Sequence, residues 1–67
     1  MTEINKIAVM IADDHMLMRE GLKQLLELEK DITVVAQAGD GEETIDKAIK
    51  YNPHVLLLDI NMPKYNG

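Results

Sequence analysis

Apolar residues gather in five segments along the chain, and their spacing alternates between continuous and helical. Ile7 to Ala12 reads I-A-V-M-I-A, an unbroken run of the kind found in a strand buried on both faces of a parallel sheet. From Met16 to Lys30, Met18, Leu22, Leu25, Leu26 and Leu28 recur at helical spacing, while Arg19, Glu20, Lys23, Gln24 and Glu27 fill the other side. This predicts an amphipathic helix with Asp14 as its N-cap. Ile32 to Ala38 is rich in β-branched residues and runs into Gly39-Asp40-Gly41, so a second strand ending in a turn is predicted. A second helix follows, capped by Asp40, with Glu43 bonding back as a variant capping box and Ile45, Ala48 and Ile49 as its buried stripe. Asn52-Pro53 ends it, because proline disfavours the helical conformation in the residue before it. Val55 to Leu58 is a third apolar strand that delivers Asp59, and Asn61, Pro63, Asn66 and Gly67 mark a loop.

The predicted order is therefore βαβαβ, an α/β class with a doubly wound parallel sheet. Right-handed crossovers put the two helices on opposite faces when the strands lie in the order 2-1-3. Ligands of such sheets gather at the carboxyl ends of the strands, where successive connections leave in opposite directions. Asp13 and Asp14 follow the first strand and Asp59 closes the third, and adjacent strands are ~4.8 Å apart. Three carboxylates are thus expected on one small patch, where they repel unless protonated or neutralised by a cation. Hard oxygen donors suit Mg2+, which takes one or two carboxylates and leaves room for phosphate oxygens. Singly, each aspartate has a plainer reading, as a helix cap or as the first solvated position after a buried strand. The combination at switch-point geometry is what favours a site.

Composition narrows the function classes. Twelve acidic against seven basic residues, a formal net charge of -5, disfavour the phosphate contacts on which nucleic-acid affinity rests. Two aromatics, Tyr51 and Tyr65, leave no stacking platform for single strands, so no nucleic acid is expected to bind this segment. The longest apolar stretches are too short to cross a bilayer, and no membrane association is expected. The absence of cysteine excludes disulfides and thiolate metal sites, and fits a reducing, cytoplasmic setting.

The strings I-A-D-D-H at Ile11 to His15, L-M-R-E-G-L at Leu17 to Leu22, G-D-G-E-E at Gly39 to Glu43 and L-L-L-D-I-N-M-P at Leu56 to Pro63 carry a further message. The chain resembles the receiver domains of two-component response regulators, and most of all the NarL/FixJ-like subgroup with a LuxR-type helix-turn-helix output. The resemblance covers essentially all 67 residues. It implies a flavodoxin-like (CheY-like) fold and a phosphoacceptor rather than an enzyme. Asp59 would accept a phosphoryl group from a sensor histidine kinase. Mg2+ would be held by Asp13, Asp14, Asp59 and the backbone carbonyl of Asn61. Met62 and Pro63 would shape the loop beneath the site, and Gly67 would allow the following turn.

The family has five strands, of which this chain carries three, so residues 1–67 are expected to form a truncated portion of a receiver domain. The hydroxyl residue and the lysine that the family places after its fourth and fifth strands have no counterpart here, and no motif promotes Lys64 to such a role. An exposed edge on the third strand is a template for pairing, so a homo-oligomer through that strand is expected, and the alternative function is a self-associating half-domain without phosphotransfer. A Mg2+-dependent phosphohydrolase is disfavoured, since such enzymes place a second carboxylate two positions on, where Asn61 stands. His15 reads as an ordinary first-turn residue beside the acidic pair, and His54 lacks a partner at ligand spacing. Gly39-Asp40-Gly41 lacks a full phosphate-binding glycine pattern and reads as turn plus cap. The methionines, Met10 and Met18 among them, read as core filler, and Gly21 as a point of close helix packing.

Overall fold

The computed structural model describes residues 6–59. Within them the elements run β1 (Ile7–Ala12), α1 (Met16–Leu26), β2 (Ile32–Ala38), α2 (Gly41–Tyr51) and β3 (Val55–Leu58). All three strands are parallel, in the order β2-β1-β3, as the apolar runs predict. The unbroken apolar run occupies the centre because only there is a strand covered on both sides. Val9, Met10, Ile11 and Ala12 are all nearly inaccessible to solvent. Burial of the two largest, Met10 and Ile11, contributes ~1.5–3 kcal/mol each.

Alternation along β1 separates two layers. Met10 and Ala12 pack with Ala38, Ala36, Ala48 and Leu58 beneath α2. Ile11 faces the other way, toward Met18 and Leu22 of α1 and Leu57 of β3. Pairing with β2 contains one irregularity, for Val9 partners Val34 while Met10 partners Ala36, leaving Val35 as an extra residue in the parallel ladder.

The helix ends differ in part from the sequence expectation. N-capping of α1 falls on His15, whose side chain makes no capping bond, rather than on Asp14. Asp13 instead accepts from the His15 N–H through Oδ1 at 2.9 Å. At the other end α1 stops at Leu26 and not at Lys30. Tighter three-residue turns take over, with Leu28 N–H donating to Leu25 O and Glu29 N–H to Leu26 O. Leu28, beyond the last helical turn, is 80% exposed. Glu27 also reaches β2, accepting the Val34 N–H at 3.0 Å.

Asp40 caps α2 as expected, accepting the Glu43 N–H at 2.8 Å. The return bond of Glu43 goes to the Gly39 N–H at 2.6 Å, one residue before the cap. The buried line of α2 is Gly41, Thr44 and Ala48, not Ile45, Ala48 and Ile49. The two isoleucines are mostly exposed because small residues bring the helix closest to the sheet. Asn52 ends α2 in the left-handed region, φ 48°, with its N–H on Ala48 O, so the stop is a left-handed cap before Pro53. Gly21 meets nothing within 4 Å of a notional Cβ and is exposed, which overturns its reading as a packing glycine. Met18 is also more than half exposed, unlike Met10.

Gly21→Ala adds a methyl group in open space on a helical backbone and should raise stability by about 0.5–1 kcal/mol, read as a higher melting temperature. Glu43 has its carboxyl held below the usual carboxylate value, first by the Gly39 N–H and next by the Lys47 ammonium. Its stabilising contribution is therefore complete above the unfolded-state value of ~4.5 and is lost as pH falls through the lower folded value. Melting curves should show Glu43→Gln below the parent at pH 7, with the gap closing in acid.

Candidate functional site

The ladder between β1 and β3 runs from Val9 opposite Val55 to Ala12 opposite Leu58. One further bond, Asp59 N–H to Ala12 O at 2.9 Å, carries the pairing past the last apolar residue. On the other side Asp13 N–H donates to Ala38 O at 3.0 Å. Both strand-end aspartates are thus fixed by backbone bonds at the carboxyl edge of the sheet, side by side across β1 and β3. Asp14 follows in the loop leading to α1, as the sequence predicts.

The carboxylates do converge. Donor atoms of Asp13, Asp14, His15 and Asp59 all lie within 4.8 Å of one another. An ion with bonds of ~2.1 Å holds trans ligands ~4.2 Å apart, so donors spread over up to 4.8 Å would have to draw together slightly around one such ion. Three of the four donors are hard carboxylate oxygens, the preference of Mg2+. The fourth aspect of the expected site, the Asn61 carbonyl, lies outside the described residues, as do Met62, Pro63, Lys64 and Gly67.

His15 is not the bystander that the sequence suggested. Its Nδ1 lies 2.9 Å from Asp14 Oδ1 and 3.2 Å from Asp13 Oδ1. The backbone bond that Asp13 accepts from the His15 N–H turns the loop back on itself and brings the ring over the acids. That bond, ahead of the opposing effect of burial and the contribution of the ring, holds the Asp13 carboxyl below its ordinary value. The same partnership raises the imidazole above its usual value, first through its bond to Asp13 and then through the charge of Asp14. When protonated, the ring supplies part of the positive charge that the cluster lacks.

Arg19 is the residue that sequence reasoning passed over, since its spacing placed it only on the polar side of α1. Nη1 donates to the Asp13 carbonyl at 2.6 Å and Nε to the Gln37 side-chain oxygen at 3.2 Å. Its place in the string L-M-R-E-G-L was the available signal. His54, far from the acids, has a structural part: its Nδ1 accepts the Ala8 N–H at 2.9 Å while its own N–H donates to Ala8 O at 2.8 Å. Gly39-Asp40-Gly41 forms a turn and cap, as read.

Beside the cluster lies a cleft of about 440 Å³, lined by Asp13, His15 and Asp59 and by apolar Ile11, Met18, Leu22 and Leu57. It is a mixed surface, with charge at the strand ends and hydrocarbon between α1 and β3. Among the described residues, no helix is long and apolar enough to cross a membrane.

A doubly wound parallel sheet with acids at its switch point defines a class of ligand-binding α/β modules, and comparison with known proteins narrows it. Residues 9–67 match the response regulator receiver domain, and the chain belongs to that family. It is 54% identical over 63 residues to the transcriptional regulatory protein DegU of Brevibacillus brevis, covering 94% of this chain and 27% of that protein. Against the nitrate/nitrite response regulator protein NarP of Escherichia coli it is 51% identical over 67 residues, covering 100% and 31%. The chain therefore spans about a third or less of these curated relatives. The response regulator domain of Thermotoga maritima CheB superposes with a TM-score of 0.89 at 41% identity, over 94% of this chain and 47% of that one. The module is a receiver of two-component signalling, with the CheY-like fold and the NarL-type kinship expected from its motifs.

Proposed function

We propose that this chain accepts a phosphoryl group on Asp59 in a two-component phosphorelay, with Mg2+ at the acidic cluster and a sensor histidine kinase as donor. One observation carries the reading: donor atoms of Asp13, Asp14 and Asp59 lie within 4.8 Å of one another at the carboxyl edge of the sheet. Asp59 supplies the nucleophile. One of its carboxylate oxygens forms a bond to phosphorus as the bond from phosphorus to the kinase imidazole breaks, and the departing nitrogen keeps the electron pair and takes up a proton. Asp13 and Asp14 would hold the cation directly or through water, and the Asn61 carbonyl, outside the described residues, would complete the set. Mg2+, when bound, screens the carboxylates from the incoming phosphoryl oxygens. His15 Nδ1 lies against Asp13 Oδ1 and Asp14 Oδ1, so the imidazole and a cation would draw on the same oxygens.

The setting is cytoplasmic, and the module acts as a phosphoacceptor, not as an enzyme with turnover. DegU and NarP are named as regulators, and a DNA-binding output outside residues 1–67 is the corresponding effector here. Residues 1–67 supply the first three strands and two helices of the receiver fold. Incubation with acetyl phosphate and Mg2+ should add the mass of one phosphoryl group, read by intact mass spectrometry. Omission of Mg2+ or the change Asp59→Ala should abolish the adduct, and an adduct that survives Asp59→Ala would sink the assignment.

A second reading has its own support. Among the described residues β3 pairs with β1 alone, and Val55, Leu56 and Leu57 are each about 40% exposed. Leu17 of α1 and Ile49 of α2 are 87% and 77% exposed. Such an edge and such faces favour a second copy joined through β3. Sedimentation of the 67-residue chain at micromolar concentration should then show a dimer or larger species; a compact, stable monomer rules it out.

A further inference from the structure

We infer that Arg19 is a positioning residue that ties the Asp13–Asp14 loop to the end of β2 and so sets the strength with which the carboxylate cluster takes a divalent cation. The inference rests on the cluster being a cation site, as proposed above.

The β1–β2 ladder reaches Asp13 through its N–H, bonded to Ala38 O, but the Asp13 carbonyl lies beyond it. Asp13 is only 8% exposed, so that carbonyl needs a partner from the protein, and Arg19 Nη1 provides it at 2.6 Å. The opposite end of the same planar group donates through Nε to the Gln37 side chain on β2. Because the guanidinium is rigid, anchoring one end fixes the other, and the peptide joining Asp13 to Asp14 is held relative to β2. A Cβ on Gly39 would stand 3.2 Å from Nη1, so the glycine leaves the space through which the guanidinium reaches its acceptor. Both acceptors are neutral oxygens. With these two acceptors neutral, two opposite effects of Arg19 can be told apart. As a nearby charge, Arg19 would oppose a cation; as a positioning group, it favours one by holding the oxygens in place.

The test uses the 67-residue chain and Mg2+ as the probe, with binding followed by NMR. Arg19→Gln should weaken Mg2+ binding about tenfold, the usual effect of removing a group that orients metal ligands. Arg19→Lys keeps the charge but loses the two-ended fork, and should fall between parent and Arg19→Gln. Ala48→Gly, which loosens α2 away from the site, controls for general destabilisation and should lower the melting temperature without changing the Mg2+ constant. Arg19→Gln binding Mg2+ as tightly as the parent or more tightly overturns the inference, as does an equal loss in Ala48→Gly. A second readout needs no metal: hydrogen exchange at the His15 amide, bonded to Asp13 within the same loop, should speed up in Arg19→Gln and not in Ala48→Gly. If the parent binds no Mg2+, the cation site fails. Amide exchange then still decides whether Arg19 holds the loop, and unchanged protection in Arg19→Gln overturns that part as well.

Discussion

The bond from the Asp59 N–H to the Ala12 carbonyl continues the β1–β3 ladder into charged territory, and much of the molecule depends on it. Four apolar residues of β3 pair with Val9 to Ala12, and that register sets which residue comes next at the edge. A slip by one position would turn every side chain of β3 to the other face and carry Asp59 away from Asp13. The hydrophobic interior thereby specifies an electrostatic arrangement that no interaction among the carboxylates themselves would favour.

That arrangement is held against repulsion by a layer of donors. Asp13 receives the His15 amide, its carbonyl receives Arg19, and the imidazole stands between Asp13 and Asp14. These bonds come from the loop after β1 and the first turns of α1, so the helix start serves the acids more than it serves the helix. It explains why α1 begins at a histidine without a side-chain cap. Local helix stability is given up where the acids gather, a conflict between levels of the kind found at functional sites.

Strand positions and sheet order were legible because the apolar runs of β1 and β3 and the β-branched run of β2 admit few alternatives. Asp40 and the Asn52-Pro53 stop were legible for a similar reason, each being a local backbone requirement. What escaped were properties set by distance in space. The helical spacing of Ile45 and Ile49 shows amphipathicity but not that Gly41, Thr44 and Ala48 make the closest approach to the sheet. Gly21 could not be placed on the outer face of α1 without knowing the angle at which the helix settles. The convergence of Asp13, Asp14 and Asp59 followed from topology, whereas the place of His15 beside the acids depends on a single bond across two residues, and the reach of Arg19 on the position of Gln37 across the sheet.

The extra residue at Val35 has an effect out of proportion to its size. Were β2 paired with β1 without it, Gln37 would stand opposite Ala12, on the layer beneath α2, and its amide would be dragged into hydrocarbon. The inserted residue resets the phase of the strand, so Ala36 and Ala38 supply the slim surface on which α2 rests and the amide of Gln37 emerges toward Arg19. One surplus amino acid in an edge strand thus sorts oily from polar groups between the two layers of the sandwich.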